Sequence, residues 1–440
     1  MTDREDLPLE GVGPTSGTRN GADPCYTCST CDTECPVAAV EDSFPGPKFQ
    51  GPDQWRLQKG DPPEIDPSIL ECSNCLRCDA ACPTDVPLST MHNEARAEFV
   101  EHSLSRWRPT YWRNRLLANY RTAARLASAV PRLANGVLGF GPVRSLLERT
   151  LGITAEREFP EFATETFREW FEARGGLEAS RRRAREHRRR HGEDPEAEKR
   201  VAYFHGCYAN FNTPAVGKAL VRTFEHFGYE VAVPAQRCSG TPMFANGMLA
   251  DARRHARGNL DSLVPLIEAG YSVVASCSSC SLALRKEYPE LFDLEGVDTL
   301  AAHTWDAMEF LRARTDIAAE LAEAGVSEDA FGEMAYHAPC HARDQGLDGQ
   351  PVELFAGLDG AEPIDVGDSC SGMSGTYGWK TEHYETSMAI GEEMFDEMAA
   401  VDGDVGLTEC PTCASQMEHG TERSVRHPLE VIAAALVEED

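Results

Sequence analysis

The chain has 440 residues, with 72 acidic against 42 basic side chains and a net charge of −30. That length exceeds one simple core and predicts two or three domains; the acidic balance argues against nucleic acid as a partner, because no basic field exists to neutralise phosphates. No run of about eighteen apolar residues predicts a transmembrane helix, and the opening MTDREDLPLE has neither the basic nor the apolar region of a signal peptide.

Only six of the basic residues are lysines, at 48, 59, 199, 218, 286 and 380. An acidic, Lys-poor surface is what halophilic proteins show, since dense carboxylates stay hydrated in strong salt; an ordinary acidic cytoplasmic protein is the alternative. The sixteen cysteines fall in motifs, which suits a reducing cytoplasm rather than a disulfide framework.

Residues 1–24 are rich in Gly, Pro and Asp and read as an irregular arm. Residues 25–100 hold two copies of one cysteine pattern, Cys25-x2-Cys28-x2-Cys31-x3-Cys35-Pro36 and Cys72-x2-Cys75-x2-Cys78-x3-Cys82-Pro83. This is the bacterial-ferredoxin run, and two runs specify two [4Fe-4S] clusters. The last cysteine of each run crosses to the other cluster in such modules. The expected ligand sets are therefore Cys25, Cys28, Cys31 and Cys82, and Cys72, Cys75, Cys78 and Cys35. Zinc ribbons lack the third cysteine and the Cys-Pro ending. The insert from Phe44-Pro45-Gly46-Pro47 to Pro62-Pro63 reads as loop.

Residues 101–200 are a basic helical connector. Between Arg106 and Leu151, nine arginines face the single acid Glu148, with Trp107, Trp112, Leu116, Leu126, Leu133 and Phe140 interleaved. Such a stretch suits an anionic membrane surface, an acidic partner protein, or a pair of core helices joining two domains. On the membrane reading, Arg113, Arg115, Arg121 and Arg125 dock onto lipid. The run 181–200 reads as a solvated helix and linker.

The remainder is a duplication, 201–333 and 334–440. Cys207, Cys238, Cys277 and Cys280 recur as Cys340, Cys370, Cys410 and Cys413, each about 133 residues later. Strand patterns at 201–204, 230–233 and 272–275 alternate with helical patterns at 214–227 and 248–269, which implies an α/β unit with a parallel sheet. Each cysteine motif of the first copy follows a strand, so distant cysteines converge outside the strands' carboxyl ends. These eight are candidate metal ligands, as four per copy suffice for a cubane cluster; the alternative is buried structural cysteine. No Gly-x-Gly-x-x-Gly fingerprint for flavin or nicotinamide is present.

A single Cys, a Cys-Cys-Gly about thirty residues on, then Cys-x2-Cys, present twice, resembles the "CCG" domain pair of heterodisulfide-reductase-type iron–sulfur proteins. With two ferredoxin runs in front, the chain is similar to the family of C subunits of anaerobic glycerol-3-phosphate dehydrogenases. Further markers are Pro45-Gly46-Pro47-Lys48, Phe204-His205-Gly206-Cys207, Ala245-Asn246-Gly247, Tyr336-His337-x2-Cys340-His341 and Gly375-Thr376-Tyr377-Gly378-Trp379-Lys380. The resemblance implies a multidomain α+β and α/β fold: a helical two-cluster ferredoxin-like domain, then two tandem α/β cysteine-rich domains. It implies an electron-transfer subunit without catalytic residues of its own. Such a protein takes electrons from flavin-containing A and B subunits, passes them to a membrane quinone, and sits peripherally on the cytoplasmic face of the membrane. An iron–sulfur subunit of a lactate or glycolate oxidase, or of a heterodisulfide-reductase-like complex, is the alternative.

One departure occurs twice. The expected Cys-Cys-Gly is Cys238-Ser239-Gly240 and Cys370-Ser371-Gly372, so the fifth thiolate of a noncubane cluster is missing from each copy. His205, His337 and His341 flank the motifs; a nearby imidazole tunes a cluster or handles quinone protons, or else packs at a strand end.

Overall fold

The computed structural model describes residues 22–57 and 64–437; most of the arm read over 1–24 lies outside them. In the ferredoxin half, each cysteine loop runs into one short turn of helix, Thr30–Thr33 and Arg77–Ala80. Both loops place non-glycine residues at positive φ in matching positions, Thr27 and Ser29 in the first and Asn74 and Leu76 in the second. Each such residue costs about 1–3 kcal/mol of backbone strain. The same strain in both copies follows from curling three cysteines around one point.

The insert is not loop throughout. A π-turn over Phe49–Asp53 continues as the helix Gln54–Leu57. Pro52 is tolerated because the first four N–H groups of a helix lack intrahelical partners anyway. Gly51 lies so close to the helix Leu88–Glu98 that a Cβ there would sit 3.2 Å from Leu88 and 3.4 Å from His92.

The basic part of the connector, from Arg106 to Leu151, forms the helices Pro109–Ala118, Tyr120–Ala127, Pro131–Gly139 and Gly141–Leu151. Proline begins two of them, where its fixed φ favours the first helical position. None of the described helices is long and apolar enough to cross a membrane. The charged run is less solvated than its composition suggests. The helix Gly176–Arg190 buries Ser180, Ala184 and Arg188 along one face. Ser180 Oγ accepts a 2.9 Å hydrogen bond from the Val231 amide, so this helix seals a sheet edge.

The first sheet has β1 (Arg200–Phe204), β2 (Glu230–Ala232), β3 (Ser272–Ala275) and β4 (Thr304–Asp306), in the order β2-β1-β3-β4. The second has β5 (Gly332–Tyr336), β6 (Ala361–Asp365), β7 (Val405–Leu407) and β8 (Ser424–Arg426), in the matching order β6-β5-β7-β8. All pairings are parallel, with Ala202 opposite Val273 and Ala335 opposite Gly406. The fold is thus a helical ferredoxin-like unit followed by two α/β units of one topology.

The two sheets are not independent. One apolar core holds Val201, Leu220 and Phe224 of the first copy together with Met334, Leu354, Leu429 and Ile432 of the second. The C-terminal helix Pro428–Leu436 packs on the first copy's helix Pro214–His226. Burying Leu429 and Ile432 there contributes about 1.5–3 kcal/mol each.

Gly247 marks the joint between the ferredoxin half and the first sheet. It has φ +67°, and a Cβ there would lie 2.7 Å from the Arg96 carbonyl oxygen and 2.8 Å from Val100. Its neighbour Asn246 donates a 2.8 Å hydrogen bond to Thr376 Oγ1 of the second copy. Gly247→Ala is expected to destabilise the protein by about 1–3 kcal/mol. The measurement is the thermal midpoint together with protease sensitivity of the helix Leu88–Glu98; unchanged values for both would refute the close approach.

Candidate metal centres

The first loop and the end of the second run meet. Cys25, Cys28, Cys31 and Cys82 line one cavity of about 20 Å³, and Cys35, Cys72, Cys75 and Cys78 line another of the same size. Equivalent carboxylates brace the two loops. Asp32 Oδ1 accepts from the Lys48 amide at 2.9 Å, and Asp79 Oδ1 from the Ser89 amide at 2.8 Å.

The electrostatics of these thiols follow from burial. It pushes Cys31 and Cys35 up to about 12 and Cys78 well above its ordinary value. Left alone they stay protonated, while a bound cation deprotonates a coordinating thiol outright. Cys72 differs. Burial raises it, but the Arg96 guanidinium and His92 outweigh that and hold it at about 7. His92 Nδ1 lies 3.8 Å from Cys72 Sγ, and Arg96 donates to the Cys72 carbonyl at 3.0 Å. Spacing marks neither residue; both lie on the helix Leu88–Glu98 and reach the loop only through tertiary packing.

The other eight cysteines come together at the carboxyl ends of the two sheets. Cys207 follows β1, Cys238 follows β2 and Cys277 follows β3; Cys340, Cys370 and Cys410 follow β5, β6 and β7. With Cys280 and Cys413, they line a single cavity of about 460 Å³ between the copies. The thiols lie as neighbouring pairs, Cys207 with Cys238, Cys277 with Cys280, Cys340 with Cys370 and Cys410 with Cys413. Among the described residues, no three His, Cys, Asp or Glu side chains converge as a single-ion site; the thiols ring cavities instead.

The two copies differ in what covers them. Cys75 of the ferredoxin half packs against Cys370 of the second copy in one cluster with Cys35 and Val37. Arg77 clamps the same joint, with a guanidinium nitrogen 3.1 Å from Asp368 Oδ1. Over the first copy, Arg121 reaches down from the connector to within 3.9 Å of Cys207 Sγ and 3.5 Å of the Gly206 carbonyl. Ser279 of the first copy lies 3.9 Å from Cys410 Sγ of the second.

Both replacement serines are buried and aimed at the last cysteine of their own copy. Cys280 Sγ donates to Ser239 Oγ at 3.5 Å, and Ser371 Oγ donates to Cys413 Sγ at 3.3 Å. Each precedes a glycine at positive φ, 104° at Gly240 and 76° at Gly372. A hydroxyl thus stands in the turn where the fifth thiol was expected.

The histidines split. His205 and His341 line the large cavity, while His337 is fully buried and does not line it. Burial drives His205 well down and His337 to about 3, so both stay neutral. His341 is also lowered by burial, though less simply, with Cys410 and the Asn74 backbone opposing the shift.

For three of the four arginines assigned to lipid, Arg113, Arg115 and Arg121, the structure gives a correction. Arg113 is 2% exposed and grips Glu382 with two hydrogen bonds of 2.6 and 2.5 Å. Arg115 pairs with Asp251 at 3.2 Å, and Arg121 turns inward to Cys207. Arg125 alone of the four remains exposed without a described partner of this kind. Helical periodicity does not separate these faces, since the acidic partners Glu382 and Asp251 are distant in sequence. The outward face mixes apolar and basic side chains: Trp107 is 96% exposed, Trp112, Leu126, Leu133 and Phe140 are all exposed, and Arg106, Arg108, Arg125, Arg132 and Arg149 are exposed among them.

Comparison with known proteins agrees with this layout. The 4Fe-4S dicluster domain family matches residues 21–86, and the cysteine-rich domain family matches residues 201–285 and 334–418. The dicluster match assigns two [4Fe-4S] clusters to the ferredoxin half. The C subunit of the anaerobic glycerol-3-phosphate dehydrogenase of Escherichia coli K12 is 32% identical over 414 residues, 94% of this chain and 98% of the relative. The B subunit of the fumarate reductase (CoM/CoB) of Methanothermobacter marburgensis is 28% identical over 51% of this chain and 42% of its own length. Lactate utilization protein A of Bacillus licheniformis is 29% identical over 46% of this chain and 81% of its own. Similarity that runs nearly end to end in both chains, through both cysteine-bearing halves, places this chain in the family of anaerobic glycerol-3-phosphate dehydrogenase C subunits.

Proposed function

We propose that the chain is the iron–sulfur electron-transfer subunit of a glycerol-3-phosphate dehydrogenase complex. It takes electrons from flavin-containing A and B subunits and passes them to quinone at the cytoplasmic face of the membrane. The observation that carries this reading is the gathering of the sixteen thiols around two small four-cysteine cavities and one large cavity lined by the other eight, with Cys75 reaching both its own small cavity and the large one.

Cys25, Cys28, Cys31 and Cys82 hold one [4Fe-4S] cluster, and Cys72, Cys75, Cys78 and Cys35 the other. Cys207, Cys238, Cys277 and Cys280, and Cys340, Cys370, Cys410 and Cys413, each hold a further centre. Bound clusters accept and release electrons singly, which splits two-electron flavin chemistry into steps. The chain's own part is to keep the thiols dry, to bring Cys75 against Cys370, and to set Arg77 and Arg121 beside the outer cysteines. Positive charge and backbone donors next to the sulfurs favour the reduced, more negative state; the Val86 amide on Cys82 and the Gly372 amide on Cys370, both at 3.4 Å, are such donors.

The exposed apolar side chains of the connector dock the protein on the bilayer. A halophile's salt would screen exposed charge, so these side chains supply most of the affinity. Trp107, Leu126 and Leu133 changed together to Glu should cut vesicle recovery at least tenfold, the equivalent of about 1.4 kcal/mol. Flotation at low and high salt measures it, and undiminished recovery would sink the membrane role.

Anaerobically purified protein should carry about sixteen irons and as many acid-labile sulfides per chain. About eight would leave the ferredoxin clusters standing and empty the second half. Co-purified flavoprotein should reduce the chain with glycerol 3-phosphate; failure to do so with a loaded chain overturns the assignment to this dehydrogenase. Ser371→Cys restores a fifth thiol in the turn that faces Cys413. It should change the EPR signature of the second copy's centre and leave the ferredoxin signals alone. An unaltered spectrum would mean that the residue at 371 does not decide the type of centre.

A further inference from the structure

We propose that the cavity shared by the two sheets is the binding site of a neutral, lipid-soluble quinone ring, admitted beneath the connector helices. This deepens the electron-relay reading and rests on it. The first argument is volume. The two ferredoxin cavities, each enclosed by four cysteines, measure about 20 Å³, whereas the shared cavity measures about 460 Å³. Two cavities of that size make up less than a tenth of it, so most of the shared space lies outside any pair of four-cysteine pockets. Metal centres alone therefore do not explain the space.

The second argument is the wall. Away from the cysteines it is built from Leu116, Tyr120, Ala123, Leu138, Leu147 and Phe162. Tyr120 donates its hydroxyl proton to Asn212 Oδ1 at 2.6 Å and stacks on Tyr208 at 5.5 Å, so its polar end is satisfied and a ring face remains. On the far side, His427 is neutral and Glu430 is shifted toward its neutral form. Burial lowers His427 to about 4 and raises Glu430, and His427 Nε2 donates to the Ser276 carbonyl at 2.7 Å. Arg426 and Glu409 also line the cavity, while the apolar wall on the connector side accepts an uncharged ring.

The third argument is access. The helices that supply Leu116, Tyr120 and Leu138 to the cavity are those that expose Trp112, Leu126 and Leu133 outward. One apolar layer has its inner face on the cavity and its outer face on the surface. That layer is the route by which a molecule dissolved in lipid would reach the cysteines. Reduction of the ring takes two electrons, delivered one at a time from the flavoprotein donor through this chain, and two protons from water; both carbonyls become hydroxyls.

The test uses iron-loaded full-length protein in mild detergent and equilibrium dialysis with a short-chain 1,4-naphthoquinone. One equivalent should bind. Ala123→Trp and Leu138→Trp, from separate helices, should each weaken binding at least tenfold while iron, sulfide and the EPR spectrum stay unchanged. Two positions keep the test decisive should one variant lose iron. Undiminished binding in a loaded filling variant overturns the site. A complex that reduces quinone normally with both fillers present keeps the relay and sinks this cavity as its site. A complex that oxidises glycerol 3-phosphate with a dye but reduces no quinone sinks the relay itself.

Discussion

Parallel strand pairing is the constraint on which the second half of the molecule depends. In a parallel sheet every crossover returns the chain to the same end, so the loops after β1, β2 and β3 share one edge. Cysteines as far apart in sequence as Cys207 and Cys280 are thereby brought within one loop cluster, and no local motif need hold them. The second copy repeats the order β6-β5-β7-β8 and does the same. The common core, with the helix Pro428–Leu436 laid on the first copy, then turns the two cysteine edges toward each other. One cavity results where two separate domains would have made two.

The duplication is symmetrical in topology and unsymmetrical in surroundings. The ferredoxin half sits on the second copy, where Cys75 meets Cys370 and Arg77 meets Asp368. The connector sits on the first copy, where Arg121 meets Cys207 and Tyr120 stacks on Tyr208. Each copy's outer cysteines thus face an arginine from the N-terminal half, but one arginine comes from the metal-binding loops and the other from the apolar layer. Two copies of one unit face two different neighbours, which is a physical basis for unlike tasks.

Much of this was legible in the residues. Cysteine spacing specifies the ferredoxin loops because coordination demands it, and the repeat near 133 residues specifies two equal sheets. The strands at 201–204, 230–233 and 272–275 are apolar enough to read directly, while β4 is three residues long and carries Trp305 and Asp306, too short for any periodic signal. The inward turn of Arg113 and Arg121 was not legible. A basic amphipathic pattern states which helix faces differ, not which neighbour each face meets, and Glu382 and Cys207 come from other parts of the chain. The burial in the helix Gly176–Arg190 was hidden for the same reason: its stripe of Ser180, Ala184 and Arg188 is narrow in a field of charge.

The scarcity of lysine also acquires an interior meaning. Arg96, Arg113, Arg157 and Arg188 are among the largest fully buried side chains. Each ties separate segments together: Arg96 to Cys72 and Phe244, Arg113 to Gly152 and Glu382, Arg157 to Gly378 and Ser387, Arg188 to Pro195. Most of these acceptors are backbone carbonyls. A guanidinium offers five donors in a fixed plane and is weakly hydrated, so it serves several carbonyls at a seam with a smaller desolvation cost than an ammonium. A net charge of −30 makes the outer surface self-repelling. Screening by salt relieves that repulsion but does not reach a buried guanidinium. The acidic exterior and the arginine seams therefore answer different demands: the first keeps the surface hydrated, and the second holds the ferredoxin half, the connector and the two sheets in the register that the shared cysteine cavity requires.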